Sequence, residues 1–366
     1  MARVILDHIT KRFGKVAAID DLTLDIMNNE LVALLGPSGC GKTTTMRTIA
    51  GLETPERGKV IIGGKDVTSL PPEKRNVSMV FQFPVVYTTL TVFDNIAFPL
   101  RARKVKIEKT QLHEKIVKAS EIFELQNDLN TKMQNLDLHR RQLVAMTRAI
   151  VAQPDIYLFD EPLTALDPKR RLEYRAKLKE LQHELNQTIL YVTHDQSEAL
   201  TLADKIGVMD KGRLLQYDTP LNIYDRPANT FVGWFIGNPG MNFINCSYEE
   251  REGRAFLNLG EVSYDVTDRR RDLKLEGDNA DREWIMGIRP EMIEVDGKEH
   301  DGWIPTKCSY VENLGGVMIL FLQVAGATVK AKISPELKFR TGDQVWINFP
   351  SEQIHIFDRK TEQLIS

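Results

Sequence analysis

Eight consecutive residues, Gly36-Pro37-Ser38-Gly39-Cys40-Gly41-Lys42-Thr43, fit the spacing G-x-x-x-x-G-K-[ST] and are followed by Thr44. The residue types dictate a chemistry. Glycines at these positions let successive backbone N–H groups approach phosphate oxygens, and a helix starting at the end of the loop adds favourable partial charge. Lys42 is placed to reach the β- and γ-phosphates of a nucleotide. The Thr43 hydroxyl suits Mg2+, which takes few protein oxygens and keeps most of its waters. Cys40 reads as a bystander within the loop.

Far downstream the apolar run Ile156-Tyr157-Leu158-Phe159 ends in Asp160-Glu161-Pro162. This predicts a buried strand that delivers two carboxylates at its carboxyl end, where parallel sheets hold their ligands. Asp160 is the candidate Mg2+ partner, through water. Glu161 is then placed to orient or deprotonate a water attacking the γ-phosphate. His194 ends another apolar stretch, 188–193, and precedes Asp195. A lone histidine at a strand end is more often structural than catalytic; beside a phosphate site it can instead hold the γ-phosphate through a hydrogen bond.

These residues need a frame that brings them together. Up to about Trp234, short apolar strands alternate with amphipathic helical stretches, the pattern of an α/β domain with a largely parallel sheet. Residues 31–35, 156–159 and 189–192 are the clearest buried strands. The amino terminus alternates apolar and charged residues over 1–10, a first strand rather than a signal peptide. Residues 101–118 carry seven basic and two acidic residues on a helical pattern without interleaved aromatics, which favours a solvated face over a nucleic-acid contact. Around Gly237-Asn238-Pro239-Gly240 the punctuation changes, and from Phe243 onward alternation replaces helical periodicity, as in 328–333 and 345–349. The run 317–324, Ala325-Gly326-Ala327, then 328–333 reads as a hairpin with a short loop. We expect residues 1–236 to form one domain and 237–366 a second, a small β-barrel.

Composition agrees with this frame. A chain of 366 residues has room for two or three domains with cores of their own. With 42% hydrophobic and 27% charged residues it is neither disordered nor collagen-like. The 48 basic and 51 acidic residues leave a formal charge of −3, so no global field draws the chain onto nucleic acid or an anionic membrane. Cys40, Cys246 and Cys308 are too scattered for a disulfide framework or a metal site, and a reducing cytoplasm fits them best. No apolar run approaches the length of a membrane helix, so any role in a membrane process is played from outside the bilayer.

Taken in order, GPSGCGKTT from Gly36, Gln82 after Met79-Val80-Phe81, YLFDEP from Tyr157, TALD from Thr164 and THD from Thr193 resemble the ATPase subunits of ABC transporters. Residues 237–244, Gly287-Ile288-Arg289-Pro290-Glu291 and the last strands resemble the carboxy-terminal OB-like domain of maltose-type and glycerol-phosphate-type importer ATPases, so the resemblance covers nearly the whole chain. It implies a P-loop ABC ATPase domain with a mostly parallel sheet and a helical subdomain at about 88–153, then an OB-like β domain. The implied cofactors are ATP and Mg2+. Phe13 would stack on adenine, and residues 36 and 38–44 would bind the nucleotide. Gln82 would link Mg2+ and the attacking water to the membrane subunits, Glu161 would be the catalytic carboxylate, Asp167 a dimer contact and His194 the switch histidine. The implied partners are two membrane-spanning permease subunits at the cytoplasmic face and an external solute-binding protein. The segment Phe81-Gln82-Phe83-Pro84-Val85-Val86-Tyr87 lies where the permease would dock. It is similar to the stretch found in glycerol and polyol importers that use two different ATPase subunits.

One motif departs from the family. Aligning Arg148-Ala149-Ile150 with the family's helix puts Leu136-Asp137-Leu138-His139-Arg140 where the LSGGQ signature belongs. Asp137 can still cap the following helix, whose Leu143, Met146 and Ile150 recur at helical spacing. Side chains at Leu138 and His139 obstruct a backbone approach that glycine permits. A carboxylate about 4 Å from a phosphate charge costs about 4 kcal/mol at an effective dielectric of about 20. Arg140, Arg141 and a protonated His139 are expected to offset part of this. The resemblance implies dimers in which each nucleotide is sandwiched between the P-loop of one subunit and the signature of the other, so in a homodimer both sites would receive the poor signature, whereas a second ATPase subunit with an intact signature would leave one competent site. Two other readings stay open. One is a soluble ABC ATPase acting on nucleic acid or the ribosome, which usually carries two cassettes or a long coiled-coil insertion, neither found here. The other is a nucleotide-dependent regulatory subunit whose second domain binds a ligand. An ordinary P-loop kinase has no use for THD and TALD.

Overall fold

The computed structural model describes residues 2–102, 107–164, 166–260, 262–269 and 283–365. Contacts divide the chain into two units, Met1–Pro220 and Leu221–Ser366. The strands of the first are β1 (Val4–Phe13), β2 (Val16–Ile26), β3 (Leu31–Leu35), β4 (Arg57–Ile62), β5 (Lys65–Asp66), β6 (Val77–Val80), β7 (Ile156–Asp160), β8 (Ile189–Val192), β9 (Lys205–Asp210) and β10 (Arg213–Asp218). Its helices are α1 (Lys42–Ala50), α2 (Val92–Ala102), α3 (Lys109–Glu121), α4 (Leu138–Val151), α5 (Pro168–Leu185) and α6 (Gln196–Leu202).

Every residue of β3, β7 and β8 is buried, as continuous apolar runs require when both faces of a parallel sheet are covered. The central sheet has the order β10-β9-β3-β8-β7-β6, parallel except for β10. In register, Leu34 faces Val192 and Val192 faces Asp160, so the chain leaves β3, β8 and β7 along one edge. This brings Gly36, His194 and Glu161 to the same edge. A second sheet, β2-β1-β4-β5, is antiparallel. Leu6, Ile9, Leu22 and Leu24 from it share one core with Val32, Leu34, Leu158 and Leu190 of the central sheet and with Met46 and Ile49 of α1. Each such side chain contributes about 1.5–3 kcal/mol on burial.

Helices α2, α3 and α4 occupy the expected helical region. The apolar stripe of α4, Leu143, Met146 and Ile150, is buried. The basic stretch 101–118 falls on two helices: Arg101 near the end of α2 pairs with Asp94 at 2.8 Å, while Lys109, Lys115 and Lys118 of α3 are exposed. Arg103, Lys104 and Lys106 lie outside the described residues. Close to α1, the buried Arg75 spreads its guanidinium over four carbonyls, those of Thr48, Ile49, Thr68 and Leu70, at 2.7–2.9 Å.

The second unit opens with α7 (Pro220–Asp225) and α8 (Thr230–Phe235), and the punctuation at 237–240 marks the turn from α8 into strands. Arg289 ties these helices to the strands: it donates to Gly233 O at 2.9 Å, to Tyr224 O at 2.5 Å and to Ile236 O, and lies 4.1 Å from the centre of the Tyr224 ring. The strands are β11 (Asn242–Arg251), β12 (Arg254–Leu259), β13 (Val262–Asp265), β14 (Glu283–Ile288), β15 (Glu294–Asp296), β16 (Ile304–Asn313), β17 (Met318–Val324), β18 (Ala327–Ile333), β19 (Gln344–Asn348) and β20 (His355–Asp358). They form two five-stranded antiparallel sheets, β13-β12-β11-β14-β20 and β15-β19-β16-β17-β18. Leu257, Trp284 and Met286 of the first sheet pack in one core with Leu320, Leu322, Val345 and Ile347 of the second.

The hairpin loop is one residue shorter than its sequence suggests, because Ala327 pairs with Val324. Only Ala325 and Gly326 remain in the turn, with φ of 50° and 78°, the two positive values of a primed turn. Alanine pays about 1 kcal/mol for this conformation, a cost that asparagine or glycine reduces. Ala325→Asn should therefore raise the stability of the second unit by about 0.5–1 kcal/mol. A lower unfolding midpoint in urea would contradict that reading of the turn.

Candidate functional site

The start of α1 has no side-chain cap and no acidic residue in its first turn. Its orphan N–H groups are thus left for an external anion. The loop before it must pass close to its neighbours: a Cβ on Gly41, at φ 107°, would lie 2.2 Å from Ala18 O, and one on Gly36 2.2 Å from Met209 O. Only glycine fits there. The resulting cleft of about 460 Å³ is lined by Ala18, Ser38, Gly39, Gly41, Lys42, Thr43, Thr44, Gln82, Glu161 and His194.

Within this cleft the structure assembles most of the residues singled out above. Lys42 is buried, and its ammonium donates to Gly36 O at 2.7 Å and Pro37 O at 2.9 Å. Cys40 lies beneath the loop with its sulfur 3.7 Å from Lys42 Nζ, and burial pushes its thiol pKa up, so it stays a thiol. The Thr43 hydroxyl donates to Asp160 Oδ1 at 3.2 Å. Burial raises the pKa of Asp160 against the opposing effect of that bond.

Glu161 follows β7 with φ of 46°, a strained value for a non-glycine residue of the kind that clusters at functional sites. One carboxylate oxygen, Oε2, collects the neighbours: Gln82 Nε2 donates to it at 2.9 Å, His194 Nδ1 lies 3.1 Å away and the Thr164 hydroxyl donates at 3.5 Å. Three separate chain segments meet on one atom. Phe13, by contrast, is not among the residues lining the cleft. It lies at the end of β1, half exposed, with Lys11 Nζ 5.1 Å from its ring centre. Asp167 is exposed at the start of α5, where it accepts from Arg170 N at 3.1 Å, a bond that holds its carboxyl pKa below the usual range.

A buried network behind His194 joins Thr193 and Asp195 of the THD stretch to Glu198, Tyr191 and Arg175, which were not picked out from sequence. Glu198, 4% exposed, accepts from Tyr191 OH at 2.9 Å, from the Thr193 hydroxyl at 2.8 Å and from Arg175 at 3.2 Å. Burial keeps the Tyr191 phenol protonated, which makes it a donor here. Asp195 caps α6 by accepting from Glu198 N at 3.1 Å and takes Arg175 at 2.9 Å. Both neighbours of His194 are thereby fixed. The spacing of Asp195 and Glu198, that of a capping box, was the available signal.

At the degenerate signature, Asp137 caps α4 by accepting from Arg140 N at 2.7 Å. Leu138 is 51% exposed. Helix α4 thus begins with a carboxylate of its own where α1 begins with none. The expected compensation by cations is not what the structure contains. Burial, followed by the nearby Arg170, lowers the His139 pKa, and the ring meets Arg170 Nη1 at 3.1 Å through Nδ1, so His139 is neutral and accepts. Arg140 is committed to Asp128 and Glu124 O, and Arg141 to the carbonyls of Met133 and Gln134.

The fit to a nucleotide and its metal can be judged from these donors. Uncapped backbone N–H groups and a lysine suit phosphates, and one hydroxyl beside one carboxylate suits a hard cation that keeps its waters. Among the described residues no three histidine, cysteine or acidic side chains cluster as a protein-only metal cage.

Comparison with known proteins agrees in extent as well as in detail. Residues 19–164 match the ABC transporter family, 237–293 the MalK OB fold domain and 286–357 the TOBE domain. The chain is 41% identical to the trehalose/maltose import ATP-binding protein MalK of Thermococcus litoralis, over all of both chains. It is 38% identical to the sn-glycerol-3-phosphate import ATP-binding protein UgpC of Ralstonia nicotianae, over 100% of this chain and 99% of that protein. The oligosaccharides import ATP-binding protein MsmX of Bacillus subtilis is 37% identical, with 99% of each covered. Among solved structures, the dimeric post-hydrolysis state of the ATP-binding cassette MJ0796 bound to ADP and Pi matches with a TM-score of 0.55 and 28% identity, covering 59% of this chain and 98% of that one. The phosphate cleft, the parallel sheet that builds it and matches running the full length of its relatives establish that the chain belongs to the ATP-binding subunits of the ABC transporters, as an ATPase followed by MalK-type OB and TOBE domains.

Proposed function

We propose that this chain hydrolyses ATP to drive import of a sugar or polyol, glycerol included. It does so as one half of a heterodimer whose other ATPase subunit carries an intact signature. The observation that carries the catalytic part is the convergence of Gln82, His194 and Thr164 on Glu161 Oε2 at the mouth of the phosphate loop. Gly36, Ser38, Gly39, Cys40, Gly41, Lys42, Thr43 and Thr44 hold the phosphates, and Phe13 meets the base. Thr43, Asp160 and Gln82 would supply the oxygens for Mg2+, which when bound would neutralise phosphate charge. Glu161 orients and deprotonates the water, and His194 hydrogen-bonds the γ-phosphate.

The relatives import trehalose and maltose, oligosaccharides or sn-glycerol-3-phosphate by name, all polyhydroxylated, which supports the solute class. In this reading the chain is peripheral at the cytoplasmic face of the membrane, with two permease subunits and an external solute-binding protein as partners and no nucleic acid. Among the described residues no helix is long and apolar enough to cross a membrane. An apolar groove lined by Val85, Val86, Tyr87, Phe98 and Pro99, with Phe83 70% exposed beside it, supports a permease as docking partner.

Asp137 favours the heterodimer. A helix start that already holds a carboxylate repels the γ-phosphate a signature must receive, and its neighbouring cations are engaged elsewhere. Asp167 lies at the contact with the second subunit. ATP turnover of the purified chain should be at least about tenfold below that of a mixture with an ATPase subunit bearing LSGGQ, since the mixed pair contains one site with every catalytic group. Vigorous hydrolysis by this chain alone would overturn the heterodimer.

A further inference from the structure

Residues 81–87, which carry Gln82 and, through Val85, Val86 and Tyr87, line the apolar groove, belong to no helix or strand. Three side chains of the helical region pin them instead. Gln142 of α4, fully buried, donates through Nε2 to Phe81 O at 3.1 Å. Arg148, two turns further along the same helix, donates to Val85 O and lies 5.8 Å from the Tyr87 ring centre. Asn95 of α2, also fully buried, grips Tyr87 from both sides: its Oδ1 accepts from Tyr87 N at 2.9 Å and its Nδ2 donates to Tyr87 O at 3.0 Å. Glu161, the group that Gln82 touches, directly follows β7 of the central sheet. The Gln82–Glu161 bond therefore joins a segment held by helices to a residue held by the sheet.

Gln142 is an expensive way to hold a loop. Its Oε1 is buried without a partner among the described residues. A buried amide with an orphan acceptor loses desolvation energy that an apolar side chain of equal volume would keep. Methionine at this position would leave Phe81 O unpaired, a loss, but would also remove the orphan, a gain, so the two nearly cancel in stability. The amide acts elsewhere, in fixing Phe81 O and with it the backbone from which Gln82 reaches Glu161.

We propose that Gln142 is a positioning residue for ATP hydrolysis: through Phe81 O it sets Gln82 against Glu161, so that the placement of α4 decides whether the two meet. This rests on the catalytic reading of Glu161 and Gln82 given above. The residue is fully buried and does not line the cleft. The same helix begins at Asp137 and Leu138, so a displacement of its exposed end moves the clamp as well.

The test is a double-mutant cycle in the assembled transporter with MgATP. Gln142→Met should lower kcat about tenfold while KM for ATP stays within about twofold, because a misplaced group costs rate without loss of the phosphate contacts. In a Gln82→Ala background the same substitution should change nothing further. Melting should stay within about 2 °C of wild type, and Gln142→Leu serves as a second variant if the first fails to fold. Independently of turnover, hydrogen exchange of residues 81–87 in the full chain should speed up at least about fivefold on Gln142→Met while residues 31–43 stay unchanged. An equal loss in both backgrounds, a KM that moves with kcat, or unaltered exchange in 81–87 overturns the proposal. If Glu161→Gln leaves turnover intact, the catalytic reading fails on its own, and the exchange measurement still decides whether Gln142 holds the loop.

Discussion

Glu161→Gln should lower steady-state ATP hydrolysis by the transporter about 10²–10³-fold in kcat and leave ATP binding within about threefold of wild type. The geometry argues for both halves. An amide has the volume of the carboxylate, and Glu161 N still donates to Val192 O at 2.9 Å, so the strained turn after β7 is kept. The phosphate loop touches other atoms. What changes is the oxygen that now accepts from Gln82 and Thr164 and stands 3.1 Å from His194. If the amide oxygen faces these neighbours, the NH2 group points where a water would need an acceptor. If the NH2 faces them, two donors confront it. Neither arrangement provides a base. Phosphate release by the mixed assembly measures the effect, and turnover within about threefold of wild type would remove Glu161 from the mechanism.

The second large effect is on stability. Arg75→Ala should destabilise the first unit by about 2–4 kcal/mol, lowering its melting temperature by about 5–12 °C. The guanidinium is 3% exposed and donates to four backbone carbonyls. Two of these, Thr48 O and Ile49 O, are in the last turn of α1, where Thr48 O also accepts from Gly51 N at 3.3 Å and a cation meets the negative end of the dipole. Burial lowers the Arg75 pKa, so part of the loss is recovered when the charge is removed, and the net effect is smaller than four bonds would suggest. Arg75→Lys should recover less than half of the stability, since a point charge cannot span carbonyls that a planar fork reaches together. Differential scanning calorimetry of the full chain measures the shift. A shift below about 1 °C would mean that water replaces the guanidinium at these carbonyls.

The parts of the site that follow each other in the chain were legible in the sequence. The phosphate loop sits between the apolar strand 31–35 and a helix, and β3 and β8 have the limits their apolar runs suggested. The change from helical to alternating periodicity near residue 240 marks the entry into the β-rich part of the second unit. What depended on parallel register was not legible: that Gln82 and His194 share one oxygen of Glu161 follows from how β6 and β8 align on either side of β7, which no local pattern states, whereas Thr164 reaches the same oxygen from three residues away in the chain. The His139 expectation failed for a related reason. Its charge state is set by burial and by Arg170 on another helix, neither visible at the LDLHR stretch. Arg75 and Glu198 escaped notice because single charged residues look alike until their surroundings are known.

The absence of a ladder in residues 81–87 has an evolutionary side. A strand is replaced only with its partners, since every altered register must be repaired across the sheet. A segment tied down by Asn95, Gln142 and Arg148 can be re-aimed by one or two point substitutions while the sheet that carries Glu161 stays as it is. With Phe81 O and Gln82 kept in place, the groove residues Val85, Val86 and Tyr87 can therefore diversify faster within one gene than the sheet that carries Glu161, and under the proposed permease docking a single nucleotide-cleaving core can be adapted to many membrane partners.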